Sequence, residues 1–189
     1  MAHSGTLRDA FLNEVRDIHD AERQLIRALD RLAKAASSPD LREAFEAHVD
    51  KTRAHVDRLE RVLEVFNEKP RRTHCAGMAG IIEQGHSIMQ ADFDEITMDA
   101  CLIAKCRRAE HYEMATYDVL VAWALAMGCA EAARLLQQTL DEETAMDDIL
   151  SAIAGGAVDH SAAQAVLRPR EGDTSAMAAT TAPGKSTRR

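Results

Sequence analysis

The chain has 189 residues, 23 Lys+Arg against 31 Asp+Glu, seven aromatic residues and a formal charge of −8. That length allows one folded domain with a real core, and a second one is not expected. Negative charge argues against nucleic acid or anionic membrane as a partner unless a local basic patch exists; no apolar run approaches the ~20 residues that span a bilayer.

The N-terminus, MAHSGTLRDAF, has neither the basic start nor the apolar stretch of a secretory signal, so the expected location is cytoplasmic. A first helix is expected after Thr6, with Phe11, Val15, Ile18, Leu25, Leu29 and Leu32 on one stripe. It stops near Ala35-Ala36-Ser37-Ser38-Pro39, where Ser38 can cap a second helix whose first position suits Pro39. That helix carries Phe45, Val49, Val56, Leu59, Val62 and Leu63 and ends before Lys69-Pro70. A long connection follows, with a short helix around Met78 to Gln90. A third long helix is expected from about Asp94 to Met127, closed by Gly128, and a fourth from about Ala130 to Ala154, before Gly155-Gly156.

Residues 155–189 hold four of the nine glycines, two of the four prolines and no aromatic residue. They are expected to form a flexible, low-complexity tail, too poor in apolar surface to offset the entropy of ordering it. The tail carries +2, which leaves −10 for residues 1–154. Tight links within the first and last helix pairs, with a crossover of roughly 25 residues between them, predict an all-α, ferritin-like four-helix bundle made of two antiparallel hairpins.

Several acids fall on stripes that should be apolar. Glu22 lies in line with Ile18, Leu25 and Leu29; Glu110 and Glu113 share a face with Ile103, Cys106 and Tyr117; Glu143 and Asp147 lie between Leu140 and Leu150. Buried carboxylates need a positive partner. Two divalent ions would supply it, and an oxygen-rich site with a few imidazoles suits iron or manganese. On the second helix the inward positions read Phe45, His48, Lys51 or Thr52, His55 or Val56, and Leu59, with His55 read as an edge residue. Cys75, Cys101, Cys106 and Cys129 show no Cys-x-x-Cys spacing and are expected to be free thiols.

The segments Asp20-Ala21-Glu22-Arg23-Gln24-Leu25, Ala44-Phe45-Glu46-Ala47-His48, Cys75-Ala76-Gly77-Met78-Ala79-Gly80-Ile81-Ile82, Glu110-His111-Tyr112-Glu113-Met114-Ala115-Thr116-Tyr117 and Leu135-Leu136-Gln137-Gln138-Thr139-Leu140-Asp141-Glu142-Glu143 resemble the YciE/YciF family of ferritin-like bacterial proteins, over roughly residues 7–153. The resemblance implies a ferritin-like bundle, a homodimer and a link with bacterial stress responses, without an assigned reaction. It carries Glu22, Glu110, Glu113, Glu143, Asp147, His48 and His111 onto family positions. At Asp50-Lys51-Thr52 the family reads Glu-Glu-Thr, so Lys51 replaces an acid. Two alternatives stay open there. Lys51 can neutralise the acids in a metal-free structural or interaction protein, or it can turn outward with His48 or Asp50 as the second-helix ligand. The candidate metal ligands are therefore Glu22, His48, Asp50, Glu110, Glu113, Glu143 and Asp147. A di-metal oxidase or peroxidase ranks last, because none of the four bundle helices carries a Glu-x-x-His pair.

Overall fold

The computed structural model describes residues 5–158 together with residue 161; the expected tail, apart from its first four residues and residue 161, lies outside the described residues. All regular elements among these residues are helical: α1 (Leu7–Ala35), α2 (Pro39–Val65), α3 (Ala76–Met89), α4 (Glu95–Ala126) and α5 (Ala130–Ile153), followed by a π-helical turn, Ala154–Val158. The turn runs through Gly155-Gly156, so the helical path continues past the stop expected there.

The helix starts follow their caps. Thr6 and Asp9 form a reciprocal capping box on α1, with the Asp9 N–H donating to Thr6 Oγ1 and the Thr6 N–H to the Asp9 carboxylate at 2.8 Å. Ser38 Oγ accepts from the Leu41 N–H with Pro39 in the first turn of α2, and Asp94 caps α4. Gly128, at φ 72°, takes the left-handed conformation that closes α4 without a Cβ penalty.

The α1–α2 turn is also held from outside its own hairpin. Asp99 of α4, only 3% exposed, accepts from the Ser37 and Ser38 N–H groups at 2.9 and 2.8 Å. Replacing Asp99 by alanine leaves both donors without this acceptor, and the expected loss is about 1–3 kcal/mol, read as a lower urea midpoint at unchanged slope.

Helix α1 packs on α2 and α4, and α5 packs on α2 and α4, so the four long helices close a ring around one core. Phe11, Phe45, Leu59, Leu102, Leu120 and Leu150 are among its fully buried residues. The crossover carries α3 onto α1 and α4. Its first turn lies so close to α4 that a Cβ at Gly77 would meet the Tyr112 ring at 2.9 Å, a contact only glycine tolerates without a shift. Tyr112 is held there, with its hydroxyl 3.2 Å from Cys75 Sγ and donating to Asp17 at 3.4 Å.

Candidate metal centre

Each helix of the ring contributes to one polar cluster in an otherwise apolar interior. Helix α1 supplies Glu22, α2 supplies His48 and His55, α4 supplies Glu110 and Glu113, and α5 supplies Glu143. All six are buried. On α2 the buried line is Phe45, His48, Thr52, His55 and Leu59, seven residues or two turns separating the histidines. Thr52 turns its hydroxyl back to the His48 carbonyl at 2.8 Å and leaves the space between the imidazoles to the acids from other helices.

Two groups of potential ligands overlap at Glu143. In one, Glu22, His55 and Glu143 bring a ligand atom each to within 4.8 Å of one another; in the other, His48, Glu110 and Glu143 do the same. His55 Nδ1 lies 2.7 Å from Glu143 Oε1 and 3.6 Å from Glu22 Oε2. His48 Nε2 lies 3.3 Å from Glu110 Oε1 and 3.9 Å from Glu143 Oε2. The contact of His55 with Glu143 is ionic in distance, but its angle is not that of a hydrogen bond.

The groups just outside fix the orientation of those inside. His55 Nε2 is 2.9 Å from Glu142 Oε2. Partial burial would raise the Glu142 carboxyl, but Gln138, Arg58 and His55 outweigh it and hold the pKa low. Glu142 is thus an acceptor, Nε2 carries the hydrogen, and Nδ1 is the atom aimed at Glu22 and Glu143. Arg58 donates to Glu142 at 3.1 Å and to Thr139 at 2.5 Å, which anchors the arrangement. A carboxylate on the outer nitrogen of a histidine is the usual way of presenting its other nitrogen to a metal. Tyr117 donates to Glu22 Oε1, and the Cys106 thiol to Glu110 Oε1 at 3.3 Å.

Without a cation, burial and mutual proximity shift the titration of these groups. Burial raises the carboxyls of Glu22, Glu113 and Glu143, most strongly at Glu113, and lifts Glu110 to about 7. Burial lowers the basicity of His48, and the acids beside it do not restore it, so it is a neutral donor at pH 7. His55 goes the other way. Burial opposes its charge, but Glu143 and Glu22 outweigh it and push its pKa up to about 10.

The donor set fits a pair of divalent cations. Glu22 Oε2, Glu110 Oε2, both oxygens of Glu113 and of Glu143, and His48 Nε2 are buried without a hydrogen-bond partner, an arrangement that is costly unless something fills it. Four glutamates carry the charge that two divalent ions would balance, and neutral imidazoles add none.

This folded arrangement has relatives. A family profile described as "Domain of unknown function (DUF892)" matches residues 6–163. The chain belongs to this family. It is 39% identical over 150 residues to Protein YciF of Escherichia coli (strain K12), covering 79% of this chain and 90% of that one. The crystal structure of the E. coli stress protein YciF matches with a TM-score of 0.78 at 38% identity, over 80% of this chain and 96% of the other. YcfI of Rhodopseudomonas palustris matches with a TM-score of 0.76 at 30% identity, over 80% and 97%. A Xanthomonas campestris pv. campestris protein at 23% identity and TM-score 0.64, over 86% and 95%, shares the fold. The resemblance to YciF in the sequence is therefore kinship in the family.

Not every expected ligand joins the cluster. Asp50 does not turn inward: its side chain is 80% exposed and pairs with Arg53 at 2.7 Å. Asp147 stands one turn beyond Glu143 but faces out of the ring, where Arg107 binds it at 2.7 and 3.0 Å and His111 approaches to 3.2 Å. Arg107, ahead of the smaller effect of burial, holds the Asp147 carboxyl below its ordinary value. His111 is 60% exposed and belongs to that outer pair. Lys51 is partly buried, and none of the ion pairs among the described residues includes it. The positive partner within reach of the acids is His55, which the sequence places at the edge of the stripe. Its spacing of seven from His48 was the available signal. All four cysteines are free, with Cys75 and Cys106 buried.

Proposed function

We propose that this protein is a ferritin-like four-helix bundle that binds two divalent metal ions, iron or manganese, at the centre of the bundle, and that it acts as a homodimer in the cytoplasm in the stress physiology from which its E. coli relative takes its description. The observation that carries the metal reading is the pair of overlapping ligand groups that share Glu143 and leave their oxygens unpartnered. Glu22 and His55 would hold one ion, Glu110 and His48 the other, with Glu143 common to both and Glu113 in reserve. Carboxylate-rich sites with one imidazole per ion suit iron and manganese. Bound there, the ions would supply a cationic and redox-capable centre inside an apolar bundle. The rest of the chain positions and seals: Glu142 and Arg58 aim His55, Tyr117 holds Glu22, and the surrounding apolar side chains exclude water. The ring of four long helices and the long crossover support the ferritin-like assignment.

Elemental analysis tests this reading. Full-length protein purified from iron- and manganese-supplemented cells is expected to carry about two ions per chain, and chelation is expected to lower Tm, with recovery on returning metal. Metal-free protein whose Tm ignores added iron and manganese would refute it.

A further inference from the structure

On the outer side of α1, away from the buried cluster, lies a cleft of about 520 Å³ between that helix and the crossover segment 71–74. Its charge is opposite to that of the protein as a whole. Arg23 and Arg27 reach it from α1, and Arg71 and Arg72 from the crossover. Arg23, Arg27 and Arg72 occur in none of the ion pairs among the described residues, and Arg71 makes one exposed contact, 3.4 Å from a Glu68 that Arg16 already holds at 2.8 Å.

Asp20 is the one acid lining the cleft, and its Oδ2 is engaged by the crossover and by its own helix. It accepts from the Cys75 N–H at 2.9 Å and from Gln24 Nε2 at 2.6 Å, while Gln24 also donates to the Cys75 carbonyl at 3.1 Å. These bonds tie the crossover to α1 and set the two arginine pairs facing one concavity. Like charges one helical turn apart, as at Arg23 and Arg27, repel, and in a chain with eight excess negative charges nothing obliges four guanidiniums to converge. His74 adds imidazole nitrogens at the rim, with Nδ1 3.9 Å from Asp20.

We propose that this cleft binds a diphosphate group. A guanidinium presents paired N–H donors that match two oxygens of a phosphoryl group. Four of them exceed what one phosphate can engage, whereas two linked phosphoryl groups offer enough oxygens and a charge close to that of the four arginines less Asp20. The shared chemistry is the diphosphate, either free or carried by a nucleotide. The site stands apart from the metal reading and does not depend on it.

Isothermal titration on the full-length protein provides the test, after metal has been stripped and the chelator dialysed away so that pyrophosphate cannot report by sequestering metal. At constant ionic strength, inorganic pyrophosphate is expected to bind saturably with one site per chain, and inorganic phosphate more weakly. The double variant Arg27→Gln/Arg72→Gln is expected to bind pyrophosphate about tenfold or more weakly, while Arg53→Gln, whose partner is Asp50, binds as the unaltered protein does. ADP binding at least as tightly as pyrophosphate would support a nucleotide source, and weaker ADP binding a free diphosphate. No saturable heat with pyrophosphate, or equal binding by the double variant, would overturn the proposal. So would a single-stranded oligonucleotide that outcompetes pyrophosphate for these arginines, since the ligand would then be a phosphodiester backbone.

Discussion

Glu143→Gln is expected to empty both metal positions together, lowering bound iron or manganese from about two ions per chain to well under one. Glu143 is the residue common to both ligand groups, so no other single substitution removes a carboxylate oxygen from each. Glutamine keeps the volume of the side chain and one oxygen but removes the negative charge, so the change tests ligation more than packing. Glu22→Gln should weaken one position and spare the other. Asp50→Asn and Asp147→Asn, made at residues that pair outward with Arg53 and with Arg107, are expected to retain full metal content. Elemental analysis of the four proteins purified side by side decides the matter. A loss of metal in Asp147→Asn with retention in Glu143→Gln would reverse the assignment.

Metal-free protein is expected to lose stability as the pH rises from about 7 to 9. In the folded state His55, raised to about 10 by Glu143 and Glu22 against the opposing effect of burial, keeps a proton that the unfolded chain has released, since an unfolded imidazole titrates near 6.5; burial shifts Glu113 upward in the same sense. The folded state binds more protons at His55 throughout that window, so this group lowers stability by up to ~1.4 kcal/mol per pH unit. Glu110, at about 7 in the fold, contributes in the same direction between 4.5 and 7. His48 opposes it there: its lowered pKa makes the unfolded chain the better proton acceptor below 6.5, so stability gained from His48 grows as pH rises. Above 7 that opposition ends. Urea titrations in chelator at pH 7, 8 and 9 should show a falling midpoint, and loading with metal should flatten the trend because cations replace the protons. A midpoint that is constant or rises in chelator would mean that these groups are not charged and uncharged as the geometry requires.

The two predictions depend on different parts of the site, and those parts were not equally legible in the sequence. Glu22, Glu110, Glu113 and Glu143 stand out because each occupies the middle of an apolar stripe, and a helix turns so regularly that a residue in mid-stripe is buried whatever its neighbours do. Residues at the stripe's edge are another matter. Asp147 lies one turn from Glu143, and Lys51 and Thr52 are adjacent, so a small rotation of the helix about its axis decides which of them enters the core. Packing of α2 against α1 and α5 settles that rotation in favour of Thr52 and His55, and it leaves Asp50 in solvent.

Apolar periodicity, chain order and local breakers were enough to locate the five helices to within a few residues, since signals such as Ser38-Pro39 and Gly128 act on their own few residues. The acid-rich interior follows from the same local periodicity. Three things required the folded chain. The first is the identity of the imidazole facing the acids, which depends on how the helices are rotated against one another. The second is the outward pairing of Asp147 with Arg107, from a different helix. The third is the arginine cleft, because residues 23 and 27 line one concavity with residues 71 and 72 only in the folded chain, where Asp20 binds the backbone at Cys75. A helix's own sequence fixes which residues share its face; what that face meets depends on contacts between segments far apart in the chain, and those exist only in the tertiary structure.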